Sequence, residues 1–522
     1  MNATPDSSTL GWLHRVNRPR VASTLIITIA RLPLLGLVLL LVLLLVLALT
    51  GCDLRKPVSS TATITFSDCR LKRIDSVVRC AMVAVPEDYA NISGTGKTIN
   101  IHIAVLPALA RNPEPNPVYF FAGGPGQAAS DIGGLVNALG ELRKSRDIVL
   151  VDQRGTGKSK TLTCDAEAAD PNVDPLVQAF NASDEAMQRD WAKCIATLKG
   201  NAAAHRTDDY IDDLELVRKA LGHDKINVWG GSYGSRVALR YMKRYPQNIR
   251  LAVLDGVAPT SLHLPDDALA TSEAELRSTL AACAASAGCA KAYPNILATF
   301  DTLLAELRAK PRPVTFAHPA SGNPINGVVS DRTLVTLVWP LLYMPEASRM
   351  VPNLIDQAAR GNFAPLAATT SASSIGEADI AIAQRFAVMC AEDMLNRTPT
   401  LNPRFQALND LFYGFCRGFP HGKVAPEFFE PTTSDVPALL LSGTQDPVTP
   451  PAQGSLAAKT LSNSKHIVVA GVGHITSTQP CVRRIIAKFV DASNVAAAND
   501  PCEAELKLPR PLFYTSPLEA KP

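Results

Sequence analysis

One stretch of this chain carries the residue types an acyl-transfer reaction needs: Gly230-Gly231-Ser232-Tyr233-Gly234. A serine on a sharp strand-to-helix turn has its hydroxyl pushed clear of the sheet, and only small residues fit two positions before and after it. The apolar run Ile226-Asn227-Val228-Trp229 precedes the motif and a helical stretch from Arg236 follows, which is the context that separates it from an ordinary glycine turn. A serine hydroxyl is a weak nucleophile at neutral pH, so it needs a base and a group that orients the base. His474, in Gly471-Val472-Gly473-His474, sits just past a strand-like run near the end of the chain, and Asp446 sits just past the run before it. The order Ser, Asp, His is the one expected for such a turn. Asp255, in Leu254-Asp255-Gly256, is a rival acid whose position better suits a strand-end turn, while His205, His223 and His466 read as surface or helix-end residues.

Acyl transfer also places negative charge on the carbonyl oxygen, and backbone N–H groups aimed at that oxygen lower the barrier. The N–H of Tyr233, next after the serine, is one candidate donor. The second is expected from Ala122-Gly123-Gly124-Pro125-Gly126, with Gly124 as first choice and Gly123 as the alternative. A phosphate-binding loop is excluded there because no Lys-Ser/Thr pair follows the glycines.

These residues need a scaffold, and the pattern around them supplies one. "INIHIAVLPA" (99–108) alternates with period two, and "PVYFFAGGPG" (117–126) and "DIVLVDQRGTG" (147–157) are short apolar runs ending in turn residues. "YIDDLELVRKALG" (210–222) places Ile211, Leu214, Leu216, Val217 and Leu221 on one helical face and stops at Gly222. "IRLAVLDGVAP" (249–259), "VPALLLSGTQDPVTP" (436–450) and "SKHIVVAGVGHI" (464–475) are further strand signals. Strands alternating with helices predict an α/β fold, a mostly parallel sheet covered on both faces. From 261 to 430 the chain is Ala-rich and helical in pattern, with few strand signals; this reads as an insertion that caps the site. The expected organisation is a leader (1–52), the first part of the core (53–260), the cap (261–430) and the rest of the core (431–522). Asp152 and Arg154 are expected to brace loops near the site.

The leader has a basic stretch, the apolar run Leu32–Leu49, and then Thr50-Gly51-Cys52, which describes an export signal. A Cys directly after small residues resembles a bacterial lipoprotein signal, with Cys52 as the lipidated first residue of the mature chain; an uncleaved membrane anchor is the alternative, since the run can just span a bilayer. Both place the rest of the chain outside the cytoplasm, on the periplasmic or extracellular side of a membrane. The formal charge of +3 comes from the leader, which holds Arg15, Arg18, Arg20 and Arg31 against Asp6. Subtracting those from 51 basic and 48 acidic residues leaves 47 of each, so electrostatics gives no reason to expect nucleic acid as a partner. Without Cys52 ten of the 11 cysteines remain, an even number suited to an oxidising compartment. Their spacing suggests local pairs: Cys69–Cys80, Cys164–Cys194, Cys283–Cys289, Cys390–Cys416 and Cys481–Cys502. No CxxC and no histidine cluster points to a metal.

"FFAGGPGQ", "VDQRGTGKS", "GGSYGS", "SGTQDPVTP" and "GVGH" together resemble the proline iminopeptidase and tripeptidyl aminopeptidase branch of the α/β-hydrolases. The resemblance covers roughly 80–260 and 385–505; the middle matches only in being a helical cap. That branch usually has His before its GGPG, where this chain has Ala122, so the donor glycines carry over and any role of that His does not. The resemblance implies cleavage of a peptide or amide bond next to a free N-terminus, without metal or organic cofactor, and without an obligate protein partner. "VMCAEDM" (388–394) is similar to the segment following the cap in those relatives, which makes Glu392 and Asp393 candidates for holding the substrate ammonium. An esterase, lipase or other amide hydrolase on the same three residues stays open, as does a non-catalytic binding protein on the same scaffold.

Overall fold

The computed structural model describes residues 64–72, 74–91, 96–131, 136–159, 161–164, 180, 183–318, 321–374, 380–394, 403–499 and 513–515. The leader with Cys52, and Cys502, lie outside the described residues. The continuous apolar runs become the centre of one sheet: β4 (Val118–Phe121), β5 (Ile148–Val151), β6 (Ile226–Gly231), β7 (Ile249–Asp255), β10 (Ala438–Gly443) and β11 (Ser464–Val469). With β1 (Ser67–Cys69), β2 (Val78–Pro86) and β3 (Thr98–Leu106) the order is β1-β2-β3-β5-β4-β6-β7-β10-β11. The first three strands and the β3–β5 pair are antiparallel, and every pairing from β5 to β11 is parallel. Parallel strands are covered on both faces, which is why β4, β5, β6 and β10 are buried at every position.

Alternation within these strands splits the core into two layers. Phe120, Leu150, Trp229, Leu439 and Leu441 face one layer, with Ile485 and Phe489 of the helix Pro480–Ala492. Tyr119, Phe121, Val149, Val151 and Val228 face the other. That side is closed by α1 (Thr207–Ala220), through Ile211, Leu214 and Val217, and by α2 (Tyr233–Arg244), through Val237 and Tyr241. The start of α1 is capped as well as buried: the N–H of Arg206 donates to the Asp209 side chain, and Thr207 and Tyr210 of the first turn are buried.

Between β7 and β10 lie α3 (Asp266–Ala285), several further helices, α4 (Ile382–Glu392) and an antiparallel hairpin of β8 (Arg312–Ala317) and β9 (Pro324–Val329). The hairpin adds two strands to a region whose sequence pattern is helical with few strand signals. It is a separate ladder in which half-buried positions alternate with exposed ones in β8, and only Ile325 and Val329 of β9 are buried, so it never shows the apolar run that identifies a core strand. The segment has a core of its own, built on Leu269, Leu276, Leu280, Phe300 and Leu334. Cys69–Cys80, Cys164–Cys194, Cys283–Cys289 and Cys390–Cys416 are disulfides, and Cys481 is also disulfide-bonded. Such bonds persist in an oxidising compartment, which places the protein among exported chains.

Candidate active site

Ser232 joins β6 to α2 with φ 56° and ψ −127°, backbone angles that a residue with a side chain rarely adopts. The glycines around it are sterically required. A Cβ on Gly230 would lie 2.1 Å from the Gly234 carbonyl oxygen, and one on Gly234 would lie 2.0 Å from that of Phe121. The turn therefore fits only because β4 and the first turn of α2 approach almost to backbone contact.

His474 follows β11 and is held from two sides. Its N–H donates to the Tyr343 carbonyl at 3.0 Å, and the Tyr343 ring meets the imidazole edge-on, with centroids 5.3 Å apart. Beneath the ring Gly256 has φ +66°, and a Cβ there would lie 3.0 Å from Cε1 of His474. The imidazole Nδ1 lies 2.8 Å from Oδ2 of Asp446. The same oxygen accepts from the Thr449 hydroxyl at 2.7 Å, and Oδ1 accepts from the N–H groups of Val448 and Thr449 at 2.9 and 2.8 Å. Burial alone would make Asp446 harder to ionise, but His474 and these donors hold its carboxyl below the usual range. Burial alone would lower the histidine, but the Asp446 carboxylate outweighs it and raises the imidazole above its ordinary value, with Asp255 adding to the effect. Asp446, not Asp255, is thus the carboxylate on the imidazole. Asp255 turns to the segment after His474, accepting from the N–H of Thr476 and of Ser477, both at 2.9 Å.

The serine and histidine segments meet at their neighbours: a Cβ on Gly231 would lie 3.5 Å from Cδ1 of Ile475. Ser232, Thr449, Tyr233 and Gly124 line one open cavity, walled by Leu262, Trp339, Tyr343, Met389 and Phe412. Gly124 has φ +109°, and the space a Cβ would take is filled by the backbone N of Gly126, 2.8 Å away. Gly123 packs its α-carbon side against Ser232, but its N–H already donates to the Gln127 side chain at 3.2 Å. Gly124 lines the same cavity as Ser232.

Glu392 and Asp393 require a correction. They end α4, are 2% and 1% exposed, and are not among the residues lining the cavity. Both oxygens of Asp393 accept from Nη1 of Arg236, on α2, at 3.0 and 3.2 Å. The Glu392 oxygens accept from the N–H and hydroxyl of Thr207 at 2.6 and 2.8 Å. Their donors come from the elbow helix and from the start of α1, so contact with a substrate ammonium is not what this geometry offers. Burial is the main reason both titrate high, Glu392 near 8 and Asp393 near 6. Thr207 also bonds the Tyr233 hydroxyl at 2.7 Å, so this cluster braces the residue that carries the expected oxyanion donor. Sequence reading missed Arg236, Thr207 and Thr449; the spacing of Arg236, one turn past the serine, was the available signal.

The DQRGTG loop is braced by the elements around it. Asp152 accepts from the N–H and hydroxyl of Ser130, at 2.8 and 2.9 Å, and meets Nδ1 of His102 at 2.8 Å. Arg154, wholly buried, donates to Asp213 and to the carbonyls of Pro86, Glu87 and Ala204. His205 is a helix-end residue, capping the short helix Ala202–Ala204, but it is buried rather than on the surface, lying between Thr161 and the Asn201 carbonyl, and burial pushes it down to about 4.

Residues 116–478 match the family described as alpha/beta hydrolase fold. Among curated proteins, the chain is similar to Serine protease Hip1 of Mycobacterium tuberculosis strain H37Rv, 28% identical over 230 residues, covering 40% of this chain and 42% of that protein. It is similar to Tripeptidyl aminopeptidase of Streptomyces coelicolor, 27% identical over 215 residues and 39% of each chain. Proline iminopeptidase of Neisseria meningitidis serogroup B is 30% identical over 147 residues, 28% of this chain and 34% of that one. The matched region thus spans about two fifths or less of the length of these relatives.

Proposed function

Because the chain belongs to the alpha/beta hydrolase fold family, we propose that it is a serine peptidase of aminopeptidase type, cleaving peptide or amide bonds near a free N-terminus. The observation that carries this reading is the 2.8 Å contact of His474 Nδ1 with Asp446, taken together with a serine held at φ 56° on a glycine-flanked turn. Asp446 fixes the ring so that Nε2 is the atom left to take the Ser232 proton. Ser232 Oγ then attacks the carbonyl carbon, and the Tyr233 and Gly124 N–H groups hold the resulting oxyanion. Collapse expels the leaving amine, which takes the proton from His474. Water, deprotonated by the same imidazole, releases the acyl group and regenerates the serine. The peptidase reading is supported by the names of the similar proteins; the apolar cavity wall of Leu262, Trp339, Met389 and Phe412 would equally suit a short acyl ester, which is the second reading.

The test is a substrate panel: Pro-, Ala- and tripeptidyl-anilides with free N-termini, the same peptides N-blocked, and short acyl esters. Turnover of the free anilides with loss on blocking is expected; ester turnover without anilide turnover would move the assignment to an esterase. Ser232→Ala should abolish turnover and labelling by a fluorophosphonate while leaving thermal unfolding unchanged, and full activity in that variant ends the serine assignment. We further infer attachment to the outer side of a membrane through a lipid on Cys52. Cys52→Ser should then shift the protein from the membrane to the soluble fraction, and retention in the membrane would favour an uncleaved span.

A further inference from the structure

Asp255 is the last residue of β7 and is fully buried, yet among the described residues no cation is paired with it. A buried carboxylate with no ion partner is costly unless donors satisfy it. Here three donors do: Oδ1 accepts from the N–H and the hydroxyl of Thr476, and Oδ2 from the N–H of Ser477, each at 2.9 Å. These lie two and three residues beyond His474, across Ile475, which is itself in the left-handed region at φ 67°. The main chain of the same residue points the other way, its carbonyl accepting from the N–H of Ser232 at 2.8 Å. In the sheet Asp255 stands between Gly231 of β6 and Leu441 of β10, the strands that lead to the nucleophile and to Asp446.

We propose that Asp255 is a positioning residue that ties the nucleophile's strand end to the loop carrying the base, setting the Ser232–His474 distance without touching substrate. The proposal rests on the Ser232–His474–Asp446 reading. Its carboxylate acts through the buried Thr476–Ser477 segment, which continues directly from His474 through the left-handed Ile475. The negative charge has a second effect. The groups bearing on the imidazole are Asp446 and the Thr449 hydroxyl from the loop after β10, Asp255 from β7 and the Tyr343 ring from the insertion, and Asp446 in turn acts on Glu275 of α3. Both aspartates favour the protonated ring, so removing the Asp255 charge makes His474 easier to deprotonate.

Asp255→Asn and Thr476→Val are compared with the parent on a substrate the parent turns over. Asp255→Asn loses the charge and puts a donor opposite one of the three donors. Its kcat should fall at least about tenfold with KM nearly unchanged, since small misplacements of reacting groups cost up to about a hundredfold. The acid limb of its pH profile should move to lower pH. Thr476→Val keeps the charge but loses one bond: a smaller loss in kcat is expected, again without a KM change, and the limb should stay in place. Both should still be labelled to completion by a fluorophosphonate, only more slowly, because Ser232 is intact. Parental kcat in folded Asp255→Asn with an unmoved acid limb overturns the proposal. Where Asp255→Asn fails to fold, parental kcat in Thr476→Val overturns it. Failure of the underlying reading is separately visible, as turnover persisting in Ser232→Ala.

Discussion

At the scale of single residues the site is a set of opposed electrostatic effects whose sum has a definite sign. His474 is buried, which by itself would keep the ring neutral, and it faces Asp446, which favours the cation. The carboxylate wins, so the ring titrates above the ordinary histidine value of about 6.5. A base must be neutral to take the Ser232 proton, so kcat/KM should fall as pH drops through that raised value. Asp446 stays ionised across this range because its own carboxyl is held below the usual one. Asp446→Asn removes the charge and the acceptor that fixes the ring, and a kcat loss of about 10⁴ is expected from the corresponding change in other serine triads. Its acid limb should shift to lower pH. An Asp446→Asn enzyme with parental kcat would show that another group orients the imidazole, and the pH-rate profile is the measurement that decides it.

Between elements, the governing constraint is how closely backbones approach. β6, α2 and β4 meet at Gly230 and Gly234, where a Cβ would sit about 2 Å from a carbonyl oxygen. Gly140, in the helix Val136–Arg143, has nothing within 4 Å of its own added Cβ. Gly234→Ala should therefore lower thermal stability by about 1–3 kcal/mol or more, or leave the chain insoluble. Gly140→Ala should be neutral or stabilising by up to about 1 kcal/mol. Equal unfolding temperatures for the two variants would contradict the close approach. The same geometry explains what the sequence made legible. The buried parallel strands show as apolar runs because both faces are covered, and the elbow shows as glycines because nothing larger fits. The β8–β9 hairpin was hard to see because it lies apart from the main sheet and one side is exposed, so its apolar positions (Val314 and Phe316, Ile325 and Val329) are few and interrupted rather than a continuous run. The roles of Glu392 and Asp393 were misread for a related reason. The resemblance made them candidates for a substrate ammonium, and only the fold shows Arg236 and Thr207, distant in sequence, closing over them.

For the molecule as a whole, the buried Glu392–Asp393–Arg236 group puts two carboxylates against one guanidinium, and this makes stability depend on pH. Glu392 is pushed up to about 8, chiefly by burial, with the neighbouring Asp393 charge adding and Arg236 opposing. In the unfolded chain a glutamate ionises near about 4.3. Between those values the folded protein holds a proton that the unfolded chain has released, so this residue's contribution is fully present at low pH and is lost as pH rises toward 8. Glu392→Gln keeps a neutral group of the same shape, able to accept from the Thr207 N–H and to donate to its hydroxyl, and cannot ionise. The unfolding temperature of Glu392→Gln minus that of the parent should therefore grow more positive from about pH 5 to about pH 8. Thermal unfolding of both proteins at several pH values in this window gives that difference directly, free of the other titrating groups they share. A difference that stays constant or becomes negative would mean Glu392 is ionised throughout. Arg236 would then be balancing both carboxylates, and the brace on Tyr233 would be ionic rather than neutral.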